Sequence, residues 1–161
     1  MDLKDLPKAY EVLRKKYTLP AYNDLNYEYE LLYISATLAS LDFPLRFIRR
    51  RVADRLANAV GYLQSLLQPN PGSFVLMRES SFFSSDEKLK IGDLLQQMII
   101  LERTSFVLDL QDNERQDAKY IQETFKQWLV LKKTYASFVT KLPERWKQQE
   151  DKKSTKNPYV G

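Results

Sequence analysis

Five arginines crowd into the start of one predicted helix. Residues 44–58 carry five arginines against a single aspartate, and this local net charge of +4 equals the formal net charge of the whole 161-residue chain. At about 100° of rotation per residue, the side chains surround the helix start and do not form one stripe. We call this set the arginine collar, and its members are Arg46, Arg49, Arg50, Arg51 and Arg55.

The collar predicts that a negatively charged group binds to these arginines. Guanidinium groups bind carboxylates and phosphates through paired hydrogen bonds, and the start of a helix is already electropositive, so cations there need an acidic partner. An external anion would be an acidic partner protein, a nucleic-acid phosphate or an anionic lipid headgroup. Internal carboxylates are the other interpretation, because arginine–carboxylate pairs commonly join neighbouring helices.

Two sets of acids could supply internal pairing. The first lies close to the collar along the chain and consists of Glu28, Glu30, Asp42 and Asp54. The second lies in the acid-rich segment 102–117, which has five acids against two arginines; its acids are Glu102, Asp109, Asp112, Glu114 and Asp117.

The chain has no histidine, no cysteine and only 4 glycines. This composition removes the commonest general base, the commonest metal ligand and the thiol nucleophile, and it leaves little material for a phosphate-binding glycine loop. Glu102, Asp109 and Asp112 could present oxygens to Mg²⁺ or Ca²⁺, but no loop has calcium-binding spacing. We therefore assign no catalytic, cofactor or metal residue, and an enzyme that uses carboxylates or Mg²⁺ is a distant alternative.

Aromatic residues give one further candidate contact. Trp128 falls on the apolar stripe of the last long predicted helix, which favours a place in the core. Trp146 lies beyond Pro143, between Arg145 and Lys147. It is predicted either to cap the end of the bundle or to anchor a partner, and it joins the collar arginines as a candidate binding residue.

The elements that must position these residues are helices. Apolar spacing and start signals predict a first helix that has Asp5 and Pro7 as start residues and runs to about residue 16. Further helices are predicted from Pro44 to Gln68, after Ser84 towards Leu110 and after residue 114. Residues 22–41 are ambiguous between strand and helix, and helix is favoured because a lone strand would have no pairing partner. Residues 74–83 are predicted to be an ordered loop or a short helical turn with Phe, Val and Leu packed inward.

The predicted fold is all-α, an antiparallel bundle of about four main helices plus a short N-terminal helix. Pro143 should kink or restart the last helix. The domain is expected to cover residues 1–147, followed by a flexible polar tail at 148–161. No apolar run spans a bilayer, and a chain without cysteine favours the cytoplasm.

Several stretches resemble small uncharacterised all-helical proteins of archaea and related prokaryotes. The residues that carry the resemblance are 19–30, 46–56, 67–71 and 125–128. It implies a compact helical protein and assigns no activity to any residue.

The sequence thus predicts a non-enzymatic helical interaction module that binds an acidic partner through the arginine collar. The alternative is binding to the phosphate backbone of RNA or DNA, which the basic residues Lys152, Lys153 and Lys156 of the tail also favour. A homodimer through the long last helix is a further possibility that the pattern leaves open.

Overall fold

The described part of the chain, residues 6–31 and 43–154 of a computed structural model, contains helices and no strand. The predicted all-α class is confirmed. The helices in chain order are α1 (Leu6–Tyr17), α2 (Tyr22–Tyr29), α3 (Pro44–Leu67), α4 (Phe74–Ser81), α5 (Ser85–Asp109), α6 (Glu114–Val139) and α7 (Leu142–Ser154).

Local signals set the helix boundaries. Pro44 occupies the first turn of α3, where its missing N–H costs nothing, and the helix ends just before Pro69. α5 begins with a capping box, in which the Ser84 hydroxyl accepts from the Glu87 N–H at 3.2 Å and the Glu87 carboxylate accepts from the Ser84 N–H at 3.0 Å. The Asn113 side-chain oxygen caps α6 by accepting from the backbone N–H groups of Arg115 and Gln116. The starts at Pro44 and Ser84 were predicted from the sequence, whereas the Asn113 cap was not, because residues 111–114 were predicted to be the connection.

Three long helices, α3, α5 and α6, make the core by packing against one another. Their inner faces carry fully buried apolar side chains, such as Ile48 and Leu56 from α3, Met98 from α5 and Ile121 from α6. Trp128, only 3% exposed, lies in the same core as predicted. α1, α2 and α4 pack against α3, so α3 is the central element.

The helix count differs from the prediction. Three of the four predicted main helices are present as long helices, and the fourth, 22–41, is confirmed as helix only over Tyr22–Tyr29. Glu30 then takes a left-handed backbone (φ 53°) that ends α2, and residues 32–42 lie outside the described residues. Asp42, one predicted partner of the collar, falls among them.

Residues 74–83 contain a short helix, α4, and the expected inward packing is wrong in part. Phe74 and Val75 are 69% and 51% exposed, while Phe83 is buried. The Ser73 hydroxyl caps α4 by accepting from the Leu76 N–H at 3.3 Å.

Pro143 restarts the chain as predicted, since α6 ends at Val139 and α7 begins at Leu142. The predicted tail from residue 148 begins inside α7, which continues to Ser154, and residues 155–161 lie outside the described residues. The flexibility of that tail stays a prediction.

Glu87 makes the stability of the fold depend on pH in the acidic range. Its carboxylate accepts from the Ser84 N–H and from Lys141 and Arg145, each at 3.0 Å. These bonds, the backbone one first, hold the pKa of Glu87 at about 2, against an ordinary 4.5. The folded pKa is the lower one, so this stabilisation is present above the unfolded pKa and is lost as the pH falls towards about 2.

We predict that Glu87→Gln destabilises the fold more at about pH 6 than at about pH 2. Urea unfolding at the two pH values measures the difference. Asp86→Asn changes a neighbouring carboxylate of the same first turn that accepts no hydrogen bond among the described residues, and it should show a smaller pH effect. An equal loss for Glu87→Gln at both pH values would contradict the assignment.

Candidate functional site

Arg49 is completely buried, with 0% of its surface exposed. Its Nε donates to Asp117 Oδ1 at 2.6 Å, its Nη2 donates to Asp109 Oδ1 at 2.6 Å, and its Nη1 donates to the Ser105 carbonyl and hydroxyl at 2.6 and 2.5 Å. One guanidinium therefore joins the start of α3 to the end of α5 and the start of α6. A buried charge is tolerated only with such complete pairing.

Asp109 serves two arginines, because Arg50 Nε also donates to its Oδ1 at 2.9 Å. Partial burial works against the ionised form, but the hydrogen bonds from Arg49 and Arg50 outweigh it and hold the pKa of Asp109 below its ordinary value. Burial raises the pKa of Asp117, with the Arg49 bond opposing the rise. The same guanidinium thus meets two carboxyls in different environments.

Two other collar arginines also contact carboxylates of this chain. Arg46 donates to Asp112 Oδ1 at 2.5 Å, and Arg51 lies 3.5 Å from Asp54, one turn along the same helix. With Arg49 and Arg50, four of the five collar residues are paired internally. Their partners come mainly from the acid-rich segment 102–117, one of the two sets that the sequence offered.

The cavity beside Arg46 does not favour an anion. It has a volume of about 270 Å³, and its polar lining is Arg46 with Asp112, Glu114 and Asp117. Three carboxyls line the cavity beside one guanidinium, whose Nη2 binds Asp112 and whose Nε has no hydrogen-bond partner among the described residues. An external acidic group would meet repulsion there, so the start of α3 serves the fold.

Arg55 differs from the rest of the collar. It is exposed and has no ion pair or hydrogen bond among the described residues. It lies on a groove of about 320 Å³ between α3 and α6, which we call the α3–α6 groove. The groove is lined by Arg55, Asn58, Ala59, Trp128, Lys132, Tyr135, Ala136, Val139 and Thr140.

Lys132 brings a second cation to the α3–α6 groove. Its Nζ contacts both carboxylate oxygens of Glu28, at 2.8 and 2.9 Å, and the Trp128 indole N–H donates to the same carboxylate at 2.8 Å. Glu28 is therefore bound to α6. It is not bound to the collar, although the sequence offered it as a possible collar partner. Arg55, Lys132 and Glu28 together give the groove a net charge of +1.

Burial raises the pKa of Tyr135, and the nearby charge of Arg55 opposes that rise. The phenol therefore stays protonated at neutral pH and offers a hydrogen-bond donor to the α3–α6 groove. Asn58 adds an exposed amide with no hydrogen bond among the described residues.

Trp146 makes contacts within the chain. Its indole N–H donates to Glu79 at 3.1 Å, and its ring packs edge-on against Phe82 with 5.3 Å between centroids. Tyr62 donates to the other oxygen of Glu79 at 2.8 Å. The side chain thus connects α7 to α4 and, through Glu79, to Tyr62 of α3.

The carboxylates proposed for a metal are not gathered. Asp109 and Asp112 bind collar arginines, and Glu102 is buried on α5. Within residues 6–31 and 43–154, no group of three acidic side chains is placed to hold a metal ion.

The sequence did not reveal the α3–α6 groove. On α6, Lys132, Tyr135, Ala136 and Val139 follow one another at helical spacings of three and four residues, and on α3 Arg55, Asn58 and Ala59 do the same. Each stripe is visible in the sequence. Which stripe faces which is set by the packing of α3 against α6, and the sequence pattern does not contain that information.

The chain matches no family model, no curated protein and no solved structure in the comparisons made. The resemblance to archaeal helical proteins therefore stays a prediction. No helix among the described residues has the length and apolar character needed to cross a membrane.

We predict that Arg49→Met lowers the free energy of unfolding by about 3–5 kcal/mol, because it leaves Asp117 and Asp109 without their buried partner. Urea unfolding at neutral pH measures this loss. Arg50→Met removes a half-exposed arginine on the same carboxylate and should cost less than about 1 kcal/mol. A loss of similar size for both variants would contradict the central role of Arg49.

Proposed function

We propose that this protein is a non-enzymatic helical interaction module that binds an acidic segment of a partner protein in the α3–α6 groove. The single observation behind the proposal is Arg55, the one collar arginine without an internal acidic partner among the described residues, which lies on a concave surface. The proposal keeps the acidic partner that the sequence predicts, but places its contact at Arg55, at one end of the collar, and not at the whole collar.

The lining of the α3–α6 groove indicates what such a segment would look like. Arg55 would bind a carboxylate, and Ala59, Ala136 and Val139 offer apolar surface beside it. Asn58 and Tyr135 could donate hydrogen bonds to backbone carbonyls. A volume of about 320 Å³ suits one or two side chains. A short segment with an acidic residue next to an aliphatic one fits this surface best.

A nucleic-acid partner receives less support. Binding to a phosphate backbone needs several free cations along a track, because its affinity comes from releasing counterions at many phosphates. Arg46, Arg49, Arg50 and Arg51 are held by carboxylates, and the cavity beside Arg46 is lined by acids. A protein partner, which needs only one or two well-placed cations, is the better candidate.

Contacts between helix ends support an antiparallel arrangement of the bundle. Arg49, near the start of α3, binds Asp109 at the end of α5. Lys141, just after α6, binds Glu87 in the first turn of α5. These two contacts favour an α5 that is antiparallel to both α3 and α6. α3 and α6 are then parallel to each other, and their stripes face each other along the groove.

We expect Arg55→Glu to weaken binding of acidic peptides by about tenfold or more, since it replaces the free cation of the groove by a like charge. The probe is an array of short peptides that place glutamate beside leucine or isoleucine. Peptides that bind are then titrated by NMR. Backbone amide shifts at Asn58 and Tyr135 would report contact in the groove.

Lys133→Glu is the matched control, because it makes the same change in net charge on α6 at an exposed residue outside the groove. It should leave affinity within about threefold of the wild type. Equal losses for the two variants would refute a specific site at Arg55. Binding of RNA or DNA with a steep dependence on salt would instead favour the nucleic-acid alternative.

A further inference from the structure

α5 carries exposed apolar residues on the side opposite its buried face. Its inner side chains, among them Ile91, Leu94 and Met98, lie in the core. Yet Leu89, Ile100 and Val107 are 71%, 58% and 55% exposed. A helix that is apolar on two faces usually has a neighbour on each. Within the described part of the chain, nothing covers the outer face.

The outer residues follow a regular spacing. Beginning at Leu89, exposed positions recur after alternating steps of four and three residues, which is the spacing of a coiled-coil seam. We call this set the α5 outer stripe, and its members are Leu89, Asp93, Gln96, Ile100, Arg103 and Val107. All six are exposed.

The α5 outer stripe is complementary to itself. When a second copy of α5 is laid against it in the antiparallel direction, with residue 98 at the centre, Leu89 faces Val107 of the other copy. In the same register Asp93 faces Arg103, and every contact occurs twice because of the twofold axis. An isologous interface requires this kind of match. We infer that the α5 outer stripe binds a second copy of this chain.

The two charged residues are available for this contact. The carboxylate of Asp93 has no ion pair among the described residues, and Arg103 has only a 3.9 Å approach to its sequence neighbour Glu102. Arg103 also lies over the Phe106 ring, 5.0 Å from its centroid. In a parallel pairing, Asp93 would face Asp93 and Arg103 would face Arg103. The charges therefore favour the antiparallel direction.

Gly92 gives a second, independent indication. It lies inside α5, where glycine costs about 1 kcal/mol relative to alanine, and an added Cβ would meet nothing within 4 Å. Nothing in this chain therefore requires a glycine there. In the antiparallel register, residue 92 faces residue 104 of the second copy, and Phe106 of that copy lies two residues further along, on the same flank of the stripe as Gly92. Phe106 is 48% exposed, and its ring needs a shallow place to pack.

The contact predicts a weak dimer. The stripe is about 27 Å long at 1.5 Å per residue, and one helix face buries less than the roughly 800 Å² per partner of a standard interface. We expect a dissociation constant in the range of about 1–100 µM. The stripe lies on α5, outside the α3–α6 groove, so this inference does not rest on the proposed function.

A charge swap tests both the contact and its register. We expect the wild-type chain to dimerise in sedimentation velocity runs between about 1 and 500 µM. Asp93→Arg alone, or Arg103→Asp alone, places like charges opposite each other twice and should raise the dissociation constant by about tenfold or more. The double variant D93R/R103D restores opposite charges and should return to within about threefold of the wild type.

Val130→Glu is the matched control for the apolar part of the stripe. It puts a charge on an exposed apolar residue of α6, whereas Ile100→Glu puts one at the middle of the stripe. Only Ile100→Glu should dissociate the dimer, and far-UV circular dichroism checks that each variant is folded. A wild-type chain that stays monomeric, a double variant that does not recover, or equal effects of the two glutamates would overturn the inference.

Discussion

The buried guanidinium of Arg49 is the interaction on which the arrangement of the long helices depends. A cation removed from water needs hydrogen-bond acceptors, and each of the three guanidinium nitrogens of Arg49 finds one in Ser105, Asp109 or Asp117. These residues are separated from Arg49 by 56 to 68 positions along the chain. A packing that moved α5 or α6 by one turn would leave the charge unpaired, so the network selects one register.

The same network also resolves two unfavourable placements. Arginines at the start of α3 oppose the positive end of its helix dipole, and Asp109 at the end of α5 opposes the negative end of its own. Each side chain is on the wrong end of its helix when the helix is considered alone. When the two helix ends lie together, the arginines and Asp109 neutralise each other's charge. The collar and the acid-rich segment therefore belong to one site.

Much of the fold could be predicted from local sequence signals. Pro44, the Ser84 capping box and Pro143 act within a few residues of the boundary they set, so their effect can be read along the chain. The exposure of Phe74 was not predicted, because an eight-residue helix has too few turns for its pattern to fix the buried side. The partners of the collar were predicted only as two alternative sets, since spacing along one helix does not say which neighbour faces it.

The candidate site is what remains after internal pairing is taken into account. The five collar arginines look alike in the sequence, yet Arg49 completes the core while Arg55 is left on the surface of the α3–α6 groove. The difference comes from the rotation of the helix, because six residues along α3 turn the side chain away from the contacts that Arg49 makes with α5 and α6 and onto the surface of the groove. The inner face of α5 is used against α3 and α6, while the α5 outer stripe is exposed and shares no residue with the lining of the α3–α6 groove. A partner in the α3–α6 groove and a second copy on α5 would therefore occupy separate surfaces, and one could bind without displacing the other.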